Sequence, residues 1–374
     1  MLLLVSLMPE KWRLLDLGAL NGYAIQSVYE SVAKSVGEGK SPNTLILCYP
    51  SDPYVCIGVH QIVFKEVDVE YCTTHGIPIV RRRQGGGAVY LDDGQQFYHL
   101  IMKSKGMMDV EGFYRKYLQP TVYVYRRYGL NAEYRPINDV VVNGKKASGN
   151  AAETISGADI LIGNVIMDID PRKLVSVLRV PDEKFRDKLA SSMELWLTSL
   201  KKELGYIPPR EEVKEYLIEG YEKTLKIELE PGSLTEDEKE EWAKLIEEFR
   251  SDRWTYKKEF EHERLLEIII GKCTKVSEDV QVCEATYKAE KLLRIIIEVS
   301  KGKITDVVIS GDFFMEPYTA LRLLEEELVG AKLERDELSE KVKSFFEKAG
   351  VRLVGAKPED LVEALMKASE RPHL

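Results

Sequence analysis

The chain has 374 residues, 44% of them hydrophobic and 31% charged, a composition that excludes a disordered polymer and calls for one large and one smaller folded unit. Its net charge of −9 excludes general affinity for a nucleic-acid backbone, so any anion-binding surface must be local. Five scattered cysteines, Cys48, Cys56, Cys72, Cys273 and Cys283, lack CxxC spacing; neither a disulfide framework nor a zinc site is expected, and a reducing cytoplasm is the expected compartment.

In chain order, the apolar stretch Met1–Met8 has no basic leader, is interrupted by Pro9-Glu10-Lys11 and reads as a first strand. No apolar run reaches the ~18 residues needed to span a bilayer, so no membrane association is expected. Residues 20–36 carry helical spacing through Ala24, Ile25, Val28, Tyr29 and Val32. Thr44–Tyr49 and Tyr54–Gly58 read as buried strands around the turn Pro50-Ser51-Asp52-Pro53, and Ile79-Val80-Arg81, Ala88-Val89-Tyr90 and Phe97–Met102 as further strands. A helix is expected over 110–129, then a hairpin turning at Asn143-Gly144 between Asp139–Val142 and Ala147–Asn150. Ile160–Met167 is expected to close the sheet, with helices over 172–180 and 183–204. The segment 210–250 reads as charged helix, and a boundary is placed near 250. Beyond it, Leu265–Ile270, Val280–Tyr287, Leu292–Val299 and Thr305–Ser310 read as strands and 318–328 and 335–348 as helices. The expected fold class is α/β (α+β): a mixed β-sheet catalytic domain packed with helices over 1–250, and a small α+β accessory domain over 251–374.

Three segments carry the chemistry. Arg82-Arg83-Gln84-Gly85-Gly86-Gly87-Ala88-Val89-Tyr90 combines arginines with a triglycine that lets the backbone approach a ligand and offer N–H groups to a carboxylate or phosphate. Asn138-Asp139 and Gly144-Lys145-Lys146-Ala147-Ser148-Gly149-Asn150 follow, the lysines arriving on a short turn after an apolar strand. An ammonium there suits a phosphate or a charge-developing acyl oxygen, and the set suggests an acyl phosphate or nucleotide.

In this order RR-x-GGGAVY, ND-x-VV and GKK-x-SGNA resemble the lipoate-protein ligase family, long form with a C-terminal accessory domain. Ile57-Gly58-Val59-His60-Gln61 resembles its IG-x-x-Q segment, and Ile304–Phe314 resembles, more loosely, its accessory domain. The resemblance implies an ATP-dependent ligase that converts lipoate or octanoate to an acyl-adenylate and passes the acyl group to a lysine of a small acceptor protein or lipoyl domain. It further implies ATP with Mg2+, Lys146 as the catalytic residue, and Arg82, Gly85, Gly86, Gly87, Ala88, Val89, Tyr90, Asn138, Asp139, Ser148 and Gly149 around ATP and lipoate, with Asp139 as a magnesium ligand. The plain alternatives are a solvated hairpin lysine for Lys145, a turn residue for Asp139 and a packed histidine for His99. An apolar tunnel for the acyl chain draws on Ile57, Val89 and Val165, each equally a core side chain. Gln84, Leu91 and Gln95 depart from the family pattern.

Two other functions compete. An octanoyl or lipoyl transferase on the same scaffold works without ATP through a cysteine thioester, but no cysteine lies between Cys72 and Cys273. A non-catalytic ligand- or carrier-binding protein would keep the pocket and lose turnover.

Overall fold

The computed structural model describes residues 9–106, 109–180, 183–269 and 272–369; the strand expected over Met1–Met8 lies outside them. The chain forms two compact units. One comprises Met1–Val55, Glu70–Val80 and Tyr90–Arg250, the other Cys56–Val69, Arg81–Val89 and Ser251–Leu374.

The first unit is built on a six-stranded mixed sheet in the order Asn150–Ile155, Ala158–Ile166, Gln95–Lys103, Thr44–Pro50, Glu10–Leu20 and Ile227–Pro231. Glu10–Leu20 runs parallel to both its neighbours and the other pairs are antiparallel. The three central strands, Ala158–Ile166, Gln95–Lys103 and Thr44–Pro50, are buried at nearly every position because both faces of the sheet are covered there. Leu45, Leu47, Leu100 and Leu161 point into a core shared with Tyr114, Leu118, Val122, Tyr125, Leu217 and Tyr221 of the helices on one face. Ile46, Ile101, Ile160 and Ile162 alternate to the other face, where they meet Val28, Tyr29 and Val32 of the helix Gly22–Gly37. Asn21 caps that helix, its side chain accepting from the Ala24 N–H at 3.0 Å.

Three expectations for this unit need correction. Ile160–Met167 does not close the sheet: the chain reverses at Ser156-Gly157, both at positive φ, and Asn150–Ile155 forms the edge. The helix over 110–129 is two, Val110–Tyr117 and Gln119–Arg127, the second started by Pro120, which has no N–H to continue the first. The charged segment 210–250 contains a strand, Ile227–Pro231, at the opposite edge. Its alternation of buried Ile227 and Leu229 with exposed Glu228 and Glu230 is a one-sided edge pattern hidden among charged helices.

In the second unit Cys273–Lys275, Val280–Lys288, Leu292–Ser300 and Lys303–Gly311 form an antiparallel meander. Ile295, Ile297, Val307 and Ile309 face the helices Ala320–Leu328, Arg335–Ala349 and Pro358–Ser369. Ile296, Val308 and Val282 face the other way, onto Leu265, Leu266 and Ile268. The latter belong to a helix, Glu263–Ile268, where a strand was expected; a short apolar run fits either structure, and here it covers a sheet face rather than extending it. Cys273 and Cys283 stand opposite each other on adjacent strands and are disulfide-bonded, which corrects the expectation of no pairing: distance along the chain does not show cross-strand register.

One buried ionic cluster ties this unit together. The Glu325 carboxylate accepts from Lys258 Nζ and from the Ile309 N–H, each at 2.8 Å, with His262 Nε2 3.2 Å from its second oxygen. Burial alone would raise the Glu325 carboxyl, but the adjacent Lys258 and His262 outweigh it and bring it down to about 2. Its stabilising contribution is therefore complete above the ordinary carboxylate range and is lost as pH falls from there toward 2.

Candidate functional site

The hairpin carrying the lysines is part of a three-stranded antiparallel sheet, Ala132–Arg135, Asp139–Val142 and Lys145–Ser148, in the first unit. Asn143 and Gly144 both have positive φ, the conformation a two-residue turn needs, so an Asn-Gly pair forms it without strain. A register shift between Val140 and Val141 sets Lys146 opposite Val141. Lys146 Nζ lies 2.7 Å from Asp139 Oδ1, and Arg135 donates to Asp139 Oδ2 at 2.9 Å. Burial pushes the Asp139 carboxyl up, but Lys146 and Arg135 overcome it and the net shift is downward. The backbone of Lys146 is held as well: its carbonyl accepts from the Thr198 N–H at 2.9 Å, where Leu197 bridges to it just beyond the helix Glu183–Trp196.

Around this cation lies a polar network. Asn150 Oδ1 accepts from Tyr98 at 2.6 Å and from Ser148 at 3.3 Å, its amide donates to the Asn138 carbonyl at 2.9 Å, and Asn138 donates back to the Asn150 carbonyl. Burial raises the Tyr98 phenol to about 12, which keeps it a donor. Asn164 Oδ1 accepts the Gly149 N–H at 2.8 Å, and the space beside Gly149 is open except for Asn164 and the Lys146 side chain. Lys146, Asp139, Asn138, Ser148 and Gly149 are thus brought together. Asn150, the last residue of the lysine-bearing motif, joins them, and Asn164 and Arg135, which no motif marks, complete the group through register across strands. Tyr90 belongs to the same unit, its phenol raised by burial and by Asp92.

Arg82, Gly85, Gly86, Gly87, Ala88 and Val89 belong to the second unit. There Arg82 turns onto its own loop, donating to the carbonyls of Gly85 at 2.8 Å, Gly87 at 2.9 Å and Cys56 at 3.2 Å. A side chain at Gly85 would meet the Phe313 carbonyl at 2.2 Å and one at Gly58 the Gly86 carbonyl at 2.2 Å, so much of the glycine requirement is backbone packing within the unit. Gly86 also has φ +95°. The adjacent Arg81 is wholly buried and donates to the carbonyls of Gly58, Val59, Gln61 and Thr255, with Glu259 at 3.5 Å. Nothing local in the sequence separates the buried Arg81 from its half-buried neighbours in a run of three. Arg83 lies over the Trp254 ring at 4.5 Å and donates to Tyr318 at 2.9 Å.

Gln95 braces the turn before its strand, accepting from the Asp92 N–H at 2.8 Å. His99 is buried against Tyr29, and burial lowers it to about 3, as expected for a packed neutral histidine. Val165 and Ile57 are fully buried, Val165 in the main core; Val89 is exposed. As placed, the Asp139 carboxylate serves Lys146 and Arg135 on both oxygens, and among the described residues no group of three or more acidic, histidine or cysteine side chains is positioned for a metal.

Comparison with known proteins shows the family. Residues 21–222 match the model of the lipoyl protein ligase A/B catalytic domain, and 292–365 that of the bacterial lipoate protein ligase C-terminus. The octanoyltransferase LipM of Kyrpidia tusciae is 32% identical over 274 residues, covering 67% of this chain and 100% of the relative. Among solved structures, the bipartite lipoate protein ligase of Thermoplasma acidophilum, described with its E2 lipoyl domain, superposes with a TM-score of 0.61 at 30% identity, over 66% of this chain and 96% of that one. Lipoate-protein ligase A bound with ATP gives 0.57 at 27% identity, over 66% and 98%. The architecture is that of an acyl-handling ligase or transferase with a mixed sheet and covering helices. The chain belongs to the lipoyl protein ligase A/B family, in its long form with the C-terminal domain.

Proposed function

We propose that the protein is an ATP-dependent lipoate-protein ligase, with residues 1–250 as its catalytic part and 251–374 as accessory. The family holds both ligases and octanoyltransferases, and the state of the cysteines favours the first. Cys48, Cys56 and Cys72 are buried and Cys273 and Cys283 are bonded to each other, which leaves no thiol open to an acyl donor. Burial also raises the Cys48 and Cys56 thiols, away from thiolate. Without a covalent carrier, the acid must be activated in solution at the site, and a fixed cation is what that step requires.

In the first step a carboxylate oxygen of lipoate or octanoate attacks the α-phosphorus of Mg-ATP, forming an acyl-adenylate and releasing pyrophosphate. Magnesium enters as part of this substrate. Lys146 offsets the repulsion between the two anions and stabilises the charge that builds on the phosphorus oxygens. In the second step the amine of an acceptor lysine attacks the acyl carbonyl, the amide forms, AMP leaves and the amine gives up its proton. The acceptor is read as a small lipoyl-type domain.

The test offers lipoate, octanoate and biotin separately with Mg-ATP and follows pyrophosphate. Release with lipoate or octanoate alone is expected; acyl transfer from an acylated carrier without ATP would instead assign the transferase activity.

Asp139 is a positioning residue in this scheme. Asp139→Asn is expected to slow adenylation by about 10- to 100-fold, because a misplaced ammonium loses much of its stabilisation of the transition state. Since the Asp139 carboxyl sits below its ordinary value, it is ionised throughout neutral and mildly acidic solution, and the ratio of variant to wild-type rate should be constant from about pH 5 to 8. A ratio that drifts toward one across that window would show that the pair does not act as described.

A further inference from the structure

The helix Glu183–Trp196 leaves two large apolar side chains, Leu195 and Trp196, exposed at its C-terminal end. Ala190 is buried on the inner side, while Phe185, Lys188, Ser192, Leu195 and Trp196 fall on the opposite side by helical spacing. Leu195 is 68% and Trp196 63% exposed, high values for two large apolar side chains in succession. Single exposed apolar residues are common, but a leucine and a tryptophan together on one helix face mark an interaction surface.

Two further observations decide what the surface takes. The helix ends at the catalytic lysine: Leu197 bridges to Lys146 and the Thr198 N–H donates to the Lys146 carbonyl at 2.9 Å. A macromolecule seated on Leu195 and Trp196 therefore lies within a few residues of the group that holds the acyl-adenylate. The charge is also local and opposite to that of the whole. The segment from Pro171 to Lys202 carries eight lysines and arginines against four acidic residues, in a chain whose net charge is −9, although Lys201 and Lys173 pair with Asp168 and Asp92. A basic segment attracts an acidic partner and orients it as it approaches.

We propose that Leu195 and Trp196, with the basic residues around them, dock the acceptor domain, and that this domain is a small acidic protein whose target lysine is presented to Lys146. The tryptophan is the anchor, as aromatic residues surrounded by charge are at protein interfaces. The inference rests on the ligase reading for its partner, but binding can be measured without turnover.

The experiment uses the full chain and an acidic E2 lipoyl domain as probe. Binding is measured for the wild type, Trp196→Ser and Lys188→Glu, alongside pyrophosphate release from Mg-ATP and lipoate with no acceptor present. Trp196→Ser should weaken binding at least tenfold and leave pyrophosphate release within about twofold of wild type; Lys188→Glu should weaken binding at low salt and less at high salt. Unchanged binding in Trp196→Ser overturns the proposal. So does a wild-type dimer that Trp196→Ser dissolves, since the face would then be covered by a second copy. Absence of pyrophosphate release in the wild type would instead remove the ligase reading, while the binding series still decides the docking surface.

Discussion

Lys146→Ala is expected to lower pyrophosphate release with Mg-ATP and lipoate or octanoate by about 10²- to 10³-fold, with little change in folding stability. The magnitude is that of removing one preorganised group that faces developing charge. Stability should hold because the Lys146 side chain is partly exposed and Arg135 still compensates Asp139. The ammonium is fixed twice, through Asp139 at its end and through Thr198 at its backbone, so Lys146→Arg, with a longer planar head, should not restore the rate. Retention of more than about a tenth of the wild-type rate in the alanine variant would place the stabilising cation elsewhere.

The second large effect falls on stability. Arg81→Met is expected to destabilise the protein by about 3–5 kcal/mol, the usual consequence of removing one partner of a buried charged cluster. Four backbone carbonyls, from Gly58, Val59, Gln61 and Thr255, lose a donor, and the Glu259 carboxylate is left buried beside none of its present counter-charge. Burial already opposes ionisation at both ends, lowering the Arg81 guanidinium to about 10 and raising Glu259, so neither tolerates loss of the other. Urea denaturation followed by far-ultraviolet circular dichroism measures the shift, and adding Glu259→Gln should recover part of it. A loss below about 1 kcal/mol would mean that water replaces the guanidinium, and the loop Gly58–Gln61 would then owe its shape to its glycine and its side-chain contacts.

These two arginine-and-lysine sites differ in how they could be found. Lys146 stands in a motif whose neighbours, a turn-forming Asn143-Gly144 and a Ser148-Gly149 pair, are local in sequence, so the reading needed no knowledge of the fold. Arg81 has no such signature: its partners lie 20 to 23 residues upstream and more than 170 downstream. The same distinction separates Asp139, named from its motif but paired with Lys146 through strand register, from Asn164, which reaches Gly149 only because two strands meet beside it.

By itself the sequence determined the family and most of the strands and helices, and it singled out Lys146 as the candidate lysine, since these depend on periodicity and on short segments whose turn chemistry is local. Tertiary structure decided the rest. It made Leu265–Ile268 a helix by giving it a sheet face to cover, and Ile227–Pro231 a strand by giving it an edge to pair with. It joined Cys273 to Cys283, and it set the Asp139 carboxylate between Arg135 and Lys146. Each of these outcomes depends on which side chains are opposite one another across strands or packed across layers, and that is a property of register, set by the whole fold and carried by no single segment.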